Sequence, residues 1–174
     1  MGGIIKKTTK EILIKERTKK IVLVQDDAEL LNTDLDLDNQ RVIKNDCDRT
    51  RVKDRNAVKS FKDYVECLLT FYCKKYEIKY KQGMNEVLGP LVLLKSRFSI
   101  TLSRIFNLFS CFMEKYLSNY YHEYEFFSLQ SSLALLKFLL KYHEPSIFNI
   151  LEYGIITPEM YATSWVLTVF AKYC

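Results

Sequence analysis

Two short stretches of the 174-residue chain combine residue types and spacings that chemistry could use. One is "YKQGMNEVLGPLVLL", residues 80 to 94, where Gln82 stands directly before Gly83 at the mouth of an apolar segment. Glycine is a poor residue to keep inside a helix, because it loses the most backbone freedom on folding. One reading is therefore a helix start: a loop ends at Tyr80–Gln82, Gly83 eases the turn, and Val87, Leu88, Leu91 and Leu94 form a buried face. The other is that Gly83 lets a second molecule approach closely and that Gln82 points at it. The second stretch is "RVIKNDCDRTR", residues 41 to 51, which crowds Arg41, Lys44, Asp46, Asp48, Arg49 and Arg51 around Val42 and Ile43. Taken alone, it reads as a solvated charged loop leading into a helix.

Other chemistries find little support. His122 and His143 are too few and too scattered for a metal site. The five cysteines are odd in number and contain no C-x-x-C pair, so they read as free thiols in a reducing compartment. The D-x-D-x-D run beginning at Asp34 is not a calcium loop, since Asn39 stands where the sharp-turn glycine belongs and Asn45 where the bidentate glutamate belongs. A net charge of +5 suits an acidic partner surface or anionic headgroups. No basic stripe interleaved with aromatics appears, which argues against nucleic acid. No apolar run approaches the roughly 18 residues of a membrane span, and the charged N-terminus is not a secretory signal. "MGGIIK" begins like a myristoylation site but carries Lys6 where Ser or Thr is wanted. A cytoplasmic protein is expected.

The elements that must position these residues are helices. With 48% hydrophobic residues the chain can build one domain with a real core, and five glycines and three prolines leave little for all-β turns. Residues 1 to 40 read as a partly disordered N-terminal segment, basic and then acidic. In it, Ile21, Val22 and Val24 could be a short strand or a helix turn, and "DDAELLNTDLDLD", residues 26 to 38, a solvated linker. From about Asp54 onward Val58, Phe61, Val65, Leu68, Leu69 and Tyr72 recur at intervals of three and four. A second helix starts near Gly83. A third runs from Ser99 to about Leu117, with Leu102, Ile105, Phe106, Phe109 and Met113 inward. A fourth runs from about Phe127 to Tyr142, with Leu129, Leu133, Leu136 and Leu140 inward. "EPSIFNIL" and "TPEMYATSWVLTVFA" supply two more, and Thr157 with Pro158 make a good helix start. Ala162 to Ala171 is apolar nearly all round and reads as a central helix, which needs neighbours on every side. Because the sequence stops at Cys174, the expectation is the front part of a longer all-α domain, without its C-terminal helices.

Ile43, Asp46, Arg49 and Thr50 spell I-x-x-D-x-x-R-T, and Tyr80, Gln82 and Gly83 fall in Y-x-Q-G-M. With "FFSLQSSLALLKFLLKYHEP" and "ITPEMYATSWVLTVFAKYC" downstream, roughly residues 40 to 174 resemble the TBC domain, which activates the GTPase activity of Rab proteins, and the domain is placed at 41 to 174. The resemblance implies an irregular multi-helix fold and a specific chemistry. GTP hydrolysis is limited by charge on the transferring phosphoryl group and by placement of the attacking water. In the family, an arginine delivered in trans neutralises that charge, and a glutamine from the same domain orients the water. Carried over, Arg49 is the arginine finger and Gln82 the glutamine finger. Asp46 holds Arg49 or its loop, Thr50 fixes the loop backbone, Tyr80 shapes the glutamine's loop, and Gly83 keeps that side clear for the Rab backbone. Such a protein is an activator rather than an enzyme. It needs no cofactor of its own, GTP and Mg belonging to the Rab, and it meets endomembranes peripherally through that partner in vesicle trafficking. The sequence departs from the family pattern in having no R-x-x-x-W element, its only tryptophan being Trp165, and in carrying Val52 and Ser164 where prolines are common. The alternative is a catalytically inactive TBC-like module that binds a Rab or a trafficking complex as a scaffold.

Overall fold

The computed structural model describes residues 23–51, 53, 54, 56, 58–121 and 126–172. The "MGGIIK" start, Ile21, Val22, Val52, His122 and Cys174 lie outside them. All regular elements among the described residues are helical: α1 (Asp27–Leu31), α2 (Gln40–Arg49), α3 (Phe61–Tyr76), α4 (Met84–Phe98) and α5 (Leu102–Phe112) come first. A π-helical turn, Met113–Leu117, then leads to α6 (Ser118–Tyr121), followed by α7 (Phe127–His143), α8 (Pro145–Tyr153), α9 (Pro158–Tyr161) and α10 (Thr163–Thr168).

The apolar stripes behave as their spacing demands. Phe61, Val65, Leu68, Leu69 and Tyr72 of α3 are buried, and so are Leu102, Ile105, Phe106 and Phe109 of α5. Together with Leu30 of α1, Ile43 and Cys47 of α2, and Met84, Leu88 and Val92 of α4 they form the main core. A second, smaller cluster is built on Leu129 and Leu133 of α7 and on Ala162, with Trp165, Val166 and Leu167 packed against it. Leu136 and Leu140 are only half-buried, and α8 buries none of its residues.

Three expectations are corrected. Residues 41 to 49 are not a loop. Ile43, Asp46 and Cys47 lie three and four residues apart on one buried face of α2, while Arg41, Val42, Lys44, Asp48 and Arg49 face water. The acidic stretch 26–38 is docked rather than solvated. Asp27 accepts the backbone N–H groups of Leu102 (3.1 Å) and Ser103 (2.8 Å), capping the otherwise unpaired amides at the start of α5. Asp36 pairs with Lys74 of α3. Nearby, Asn107 both accepts from the Val24 amide and donates to its carbonyl, so this segment leans on α5. Finally, Ala162 to Ala171 is not one central helix. α10 ends at Thr168, and Val169 and Phe170 adopt left-handed backbone angles (φ 49° and 61°) with about half their surface exposed. α10 packs on α9, α7 and α4, and the side chains of Trp165, Val166 and Leu167 are half-buried, not enclosed.

Candidate functional site

The buried face of α2 continues one turn further to Thr50, seven residues beyond Ile43, and this places a polar pair among apolar residues. Asp46 is buried, and a buried carboxylate must be matched by donors. It has two. Its Oδ1 accepts from Arg49 Nη2 at 2.6 Å and its Oδ2 from Tyr80 Oη at 2.9 Å. Arg49 sits in the last turn of α2, where a cation also complements the helix dipole. Its Nε donates to the Asn45 carbonyl (3.3 Å), yet 70% of its side chain is exposed. Thr50, fully buried, donates its hydroxyl proton to the Asp46 carbonyl at 2.8 Å and so closes the helix end. Burial, with the Asp46 charge beside it, pushes the Tyr80 phenol far above its ordinary value, so Tyr80 is a fixed neutral donor.

The second strand of the site is the turn that opens α4. Gly83 takes φ +109°, a conformation that costs other residues strain, and Gln82 just ahead of it is exposed. The space a Cβ on Gly83 would occupy is taken by Tyr121 Oη, 2.8 Å away, with Thr168 Cγ2 at 3.7 Å. A side chain at Gly83 would thus crowd its own chain's α6 and α10. Tyr121 in turn donates to the Leu167 carbonyl at 2.9 Å. Gly89, one and a half turns into α4, lets the Arg49 turn approach from the other side. A Cβ there would lie 3.1 Å from Thr50 Cγ2 and 3.3 Å from Arg51 Cγ. Arg51 reaches across to donate to the Ala171 carbonyl at 2.7 Å.

Between the two apolar clusters these elements leave a cleft of about 720 Å³. Asp46 and Arg49 form one wall, Gln82, Gly83, Asn85 and Glu86 the floor, and residues of α9 and α10 from Met160 to Thr168 the far side. The structure therefore brings Arg49 and Gln82 to one cavity from positions 33 residues apart in the chain. Ile43 stays beneath them in the core. Glu86 is a half-buried carboxylate whose burial raises its pKa, against the pull of Lys172 and Arg51. Among the described residues, no group of three or more His, Cys, Asp or Glu side chains converges to hold a metal ion.

Asn85 is the residue sequence reasoning missed. It donates to Thr50 Oγ1 (2.7 Å), accepts from the Gly83 amide (3.1 Å), and lies 3.0 Å from Tyr80 Oη. The available signal was an amide at the second position of an apolar helix, where a short polar side chain can turn back to serve the preceding loop.

The family model of the Rab-GTPase-TBC domain matches residues 6–174, taking in the segment ahead of residue 40 as well. A TBC domain-containing protein kinase-like protein of Dictyostelium discoideum is 32% identical over 92 residues, 53% of this chain and 9% of that protein. Proteins of the same description from Gallus gallus and Homo sapiens are 28% identical over 95 residues, 54% of this chain and 10% of theirs. The matched region is thus about a tenth of the length of these relatives.

Proposed function

Since the chain belongs to the Rab-GTPase-TBC domain family, we propose that it is a GTPase-activating protein for a Rab-family GTPase, with Arg49 and Gln82 as its two fingers. The observation that carries this reading is the shared cleft, which has an exposed guanidinium on one wall and an exposed carboxamide on its floor. Arg49 supplies a permanent charge whose planar fork can span two phosphate oxygens, and so offsets the negative charge that builds up as the phosphoryl group transfers. Gln82 offers a donor and an acceptor, which is what aligning a water molecule against phosphorus requires. Neither group has to titrate or form a bond; the contribution is placement and charge. GTP and Mg stay with the Rab. The chain acts in the cytoplasm and reaches endomembranes through its partner; no helix of the described residues is long and apolar enough to cross a membrane.

Single-turnover GTP hydrolysis across a panel of purified Rabs tests the reading and names the substrate. Acceleration of at least one member is expected. Binding of a Rab without acceleration would replace this function with the scaffold alternative.

A further inference from the structure

We infer that Asn85 is a positioning residue that locks the Arg49 turn and the Gln82 loop into one rigid unit, so that the two fingers enter the cleft in fixed relation. The inference rests on the function proposed above. Asn85 is 4% exposed, and its side chain ties the two segments together beside the Tyr80–Asp46 hydrogen bond. An amide N–H can only donate, so the atom facing the Gly83 amide at 3.1 Å is Asn85 Oδ1, and Nδ2 is left to point at Thr50. Thr50 spends its hydroxyl proton on the Asp46 carbonyl and has a lone pair to accept that bond, at 2.7 Å. The amide orientation is therefore determined on both sides. Its Oδ1 also lies 3.0 Å from the Tyr80 hydroxyl, whose proton goes to the Asp46 carboxylate, so the same side chain borders the group that pins Arg49.

The position demands both a donor and an acceptor on a short arm. Aspartate keeps the acceptor but loses the donor, and sets a second carboxylate beside the Tyr80 already serving Asp46. Alanine removes both, leaving the buried Gly83 amide without its acceptor and taking the Asn85 donor from Thr50 Oγ1, which keeps its own bond to the Asp46 carbonyl. In either variant the two loops can drift, and misplacing a catalytic group by about 1 Å can cost about a hundredfold in rate.

The test uses the full-length protein and the GTP-loaded Rab it accelerates, with two variants, Asn85→Ala and Asn85→Asp. Both should lose about a hundredfold in kcat while KM stays within a few-fold, because the bridge serves the transition state and not docking. Amide hydrogen exchange, read without any GTPase, should speed up at Gly83 in Asn85→Ala, remain slow there in Asn85→Asp, and stay unchanged at Leu88. Adding Asn85→Ala to Arg49→Ala should cost little more than Arg49→Ala alone. Wild-type kcat in the alanine variant, unaltered Gly83 exchange, or losses that simply multiply with Arg49→Ala would each overturn the inference. If Asn85→Ala does not fold, Thr50→Val cuts the bridge from the other end and should reproduce the kcat loss with Gly83 still protected. If the wild-type protein accelerates no Rab, the function fails first, and Gly83 exchange alone then decides whether the two loops are coupled through Asn85.

Discussion

Two contacts steady the Arg49 guanidinium, Nη2 to Asp46 Oδ1 and Nε to the Asn45 carbonyl, while most of the side chain stands in solvent. The pair is exposed on the Arg49 side only: Asp46 is buried and keeps the Tyr80 hydroxyl as a second donor, while the guanidinium stands open to an incoming phosphate. Arg49→Ala should accordingly reduce acceleration by about a thousandfold or more while leaving Rab affinity within a few-fold. Arg49→Lys should rescue poorly, because a lysine cannot fork across two oxygens. Near-normal single-turnover rates in the alanine variant would remove Arg49 from the mechanism. Gln82 is tested through the partner. A Rab whose own water-orienting glutamine has been replaced should still be accelerated by the wild-type protein and not by Gln82→Ala. Dependence on the Rab's glutamine alone would rule out the second finger. The resemblance to the family's motifs singled out Arg49 and Gln82, and both line the cleft. Asn85 was not singled out, since a buried amide on an apolar helix acquires its meaning only from Thr50, Tyr80 and Gly83, and the 35 residues from Thr50 to Asn85 hide the first of these.

Helix ends, rather than helix interiors, decide how the site is held. The interiors of α3 and α5 were legible because a run of large apolar residues at three- and four-residue spacing has few other solutions. α2 was not, since only Ile43, Asp46 and Cys47 are buried and its outer face is as charged as a loop. The docking of α1 was hidden for another reason: the partners of Asp27 are amides 75 and 76 residues away. Burial acts to raise the Asp27 carboxyl, but the amide hydrogen bonds from Ser103 and Leu102 outweigh it and hold the pKa below the ordinary value. A depressed folded pKa contributes stability that is fully present above the unfolded pKa and is lost as pH falls through the folded one. Asp27→Asn should therefore lower Tm at neutral pH, modestly because the group is partly solvated, and the gap should close as pH falls through the depressed folded pKa. A gap that persisted in acid would mean that the carboxylate charge is not what caps α5. At the start of α4 a different strain is expected. Gly83→Ala should cost about 1–3 kcal/mol from the positive φ alone, plus the clash with Tyr121 Oη. In a Tyr121→Phe background the clash is relieved and the alanine should cost measurably less. Equal costs in the two backgrounds would show that Tyr121 does not press on Gly83.

The described residues form two apolar clusters with the cleft between them, and the smaller cluster is incompletely covered. The sequence suggested an uncovered helix at 162–171; among the described residues, half of the exposed large apolar side chains lie on α7, α8 and the turn after them. Phe138 is 72% exposed, Tyr142 82%, Ile150 69%, Tyr153 89% and Ile155 82%. α7 and α8 pack side by side, joined by the Lys137–Glu152 ion pair, so Phe138, Tyr142, Ile150 and Tyr153 lie on adjoining helices, with Ile155 in the turn after α8. Apolar groupings of that kind are rare on soluble monomers and drive association, each fully buried large side chain gaining about 1.5–3 kcal/mol. Residues 1 to 174 expressed alone should therefore form oligomers or aggregate at micromolar concentration, with light scattering as the measurement. Phe138→Lys combined with Ile150→Glu should shift the chain toward monomer without loss of helical circular dichroism, because neither side chain supports either core. A monodisperse monomer with a cooperative melt in the unmodified chain would show that α7 and α8 tolerate water as they stand. An association that survived the double substitution would place the adhesive surface elsewhere, with the exposed Met160, which lines the cleft, the next residue to change.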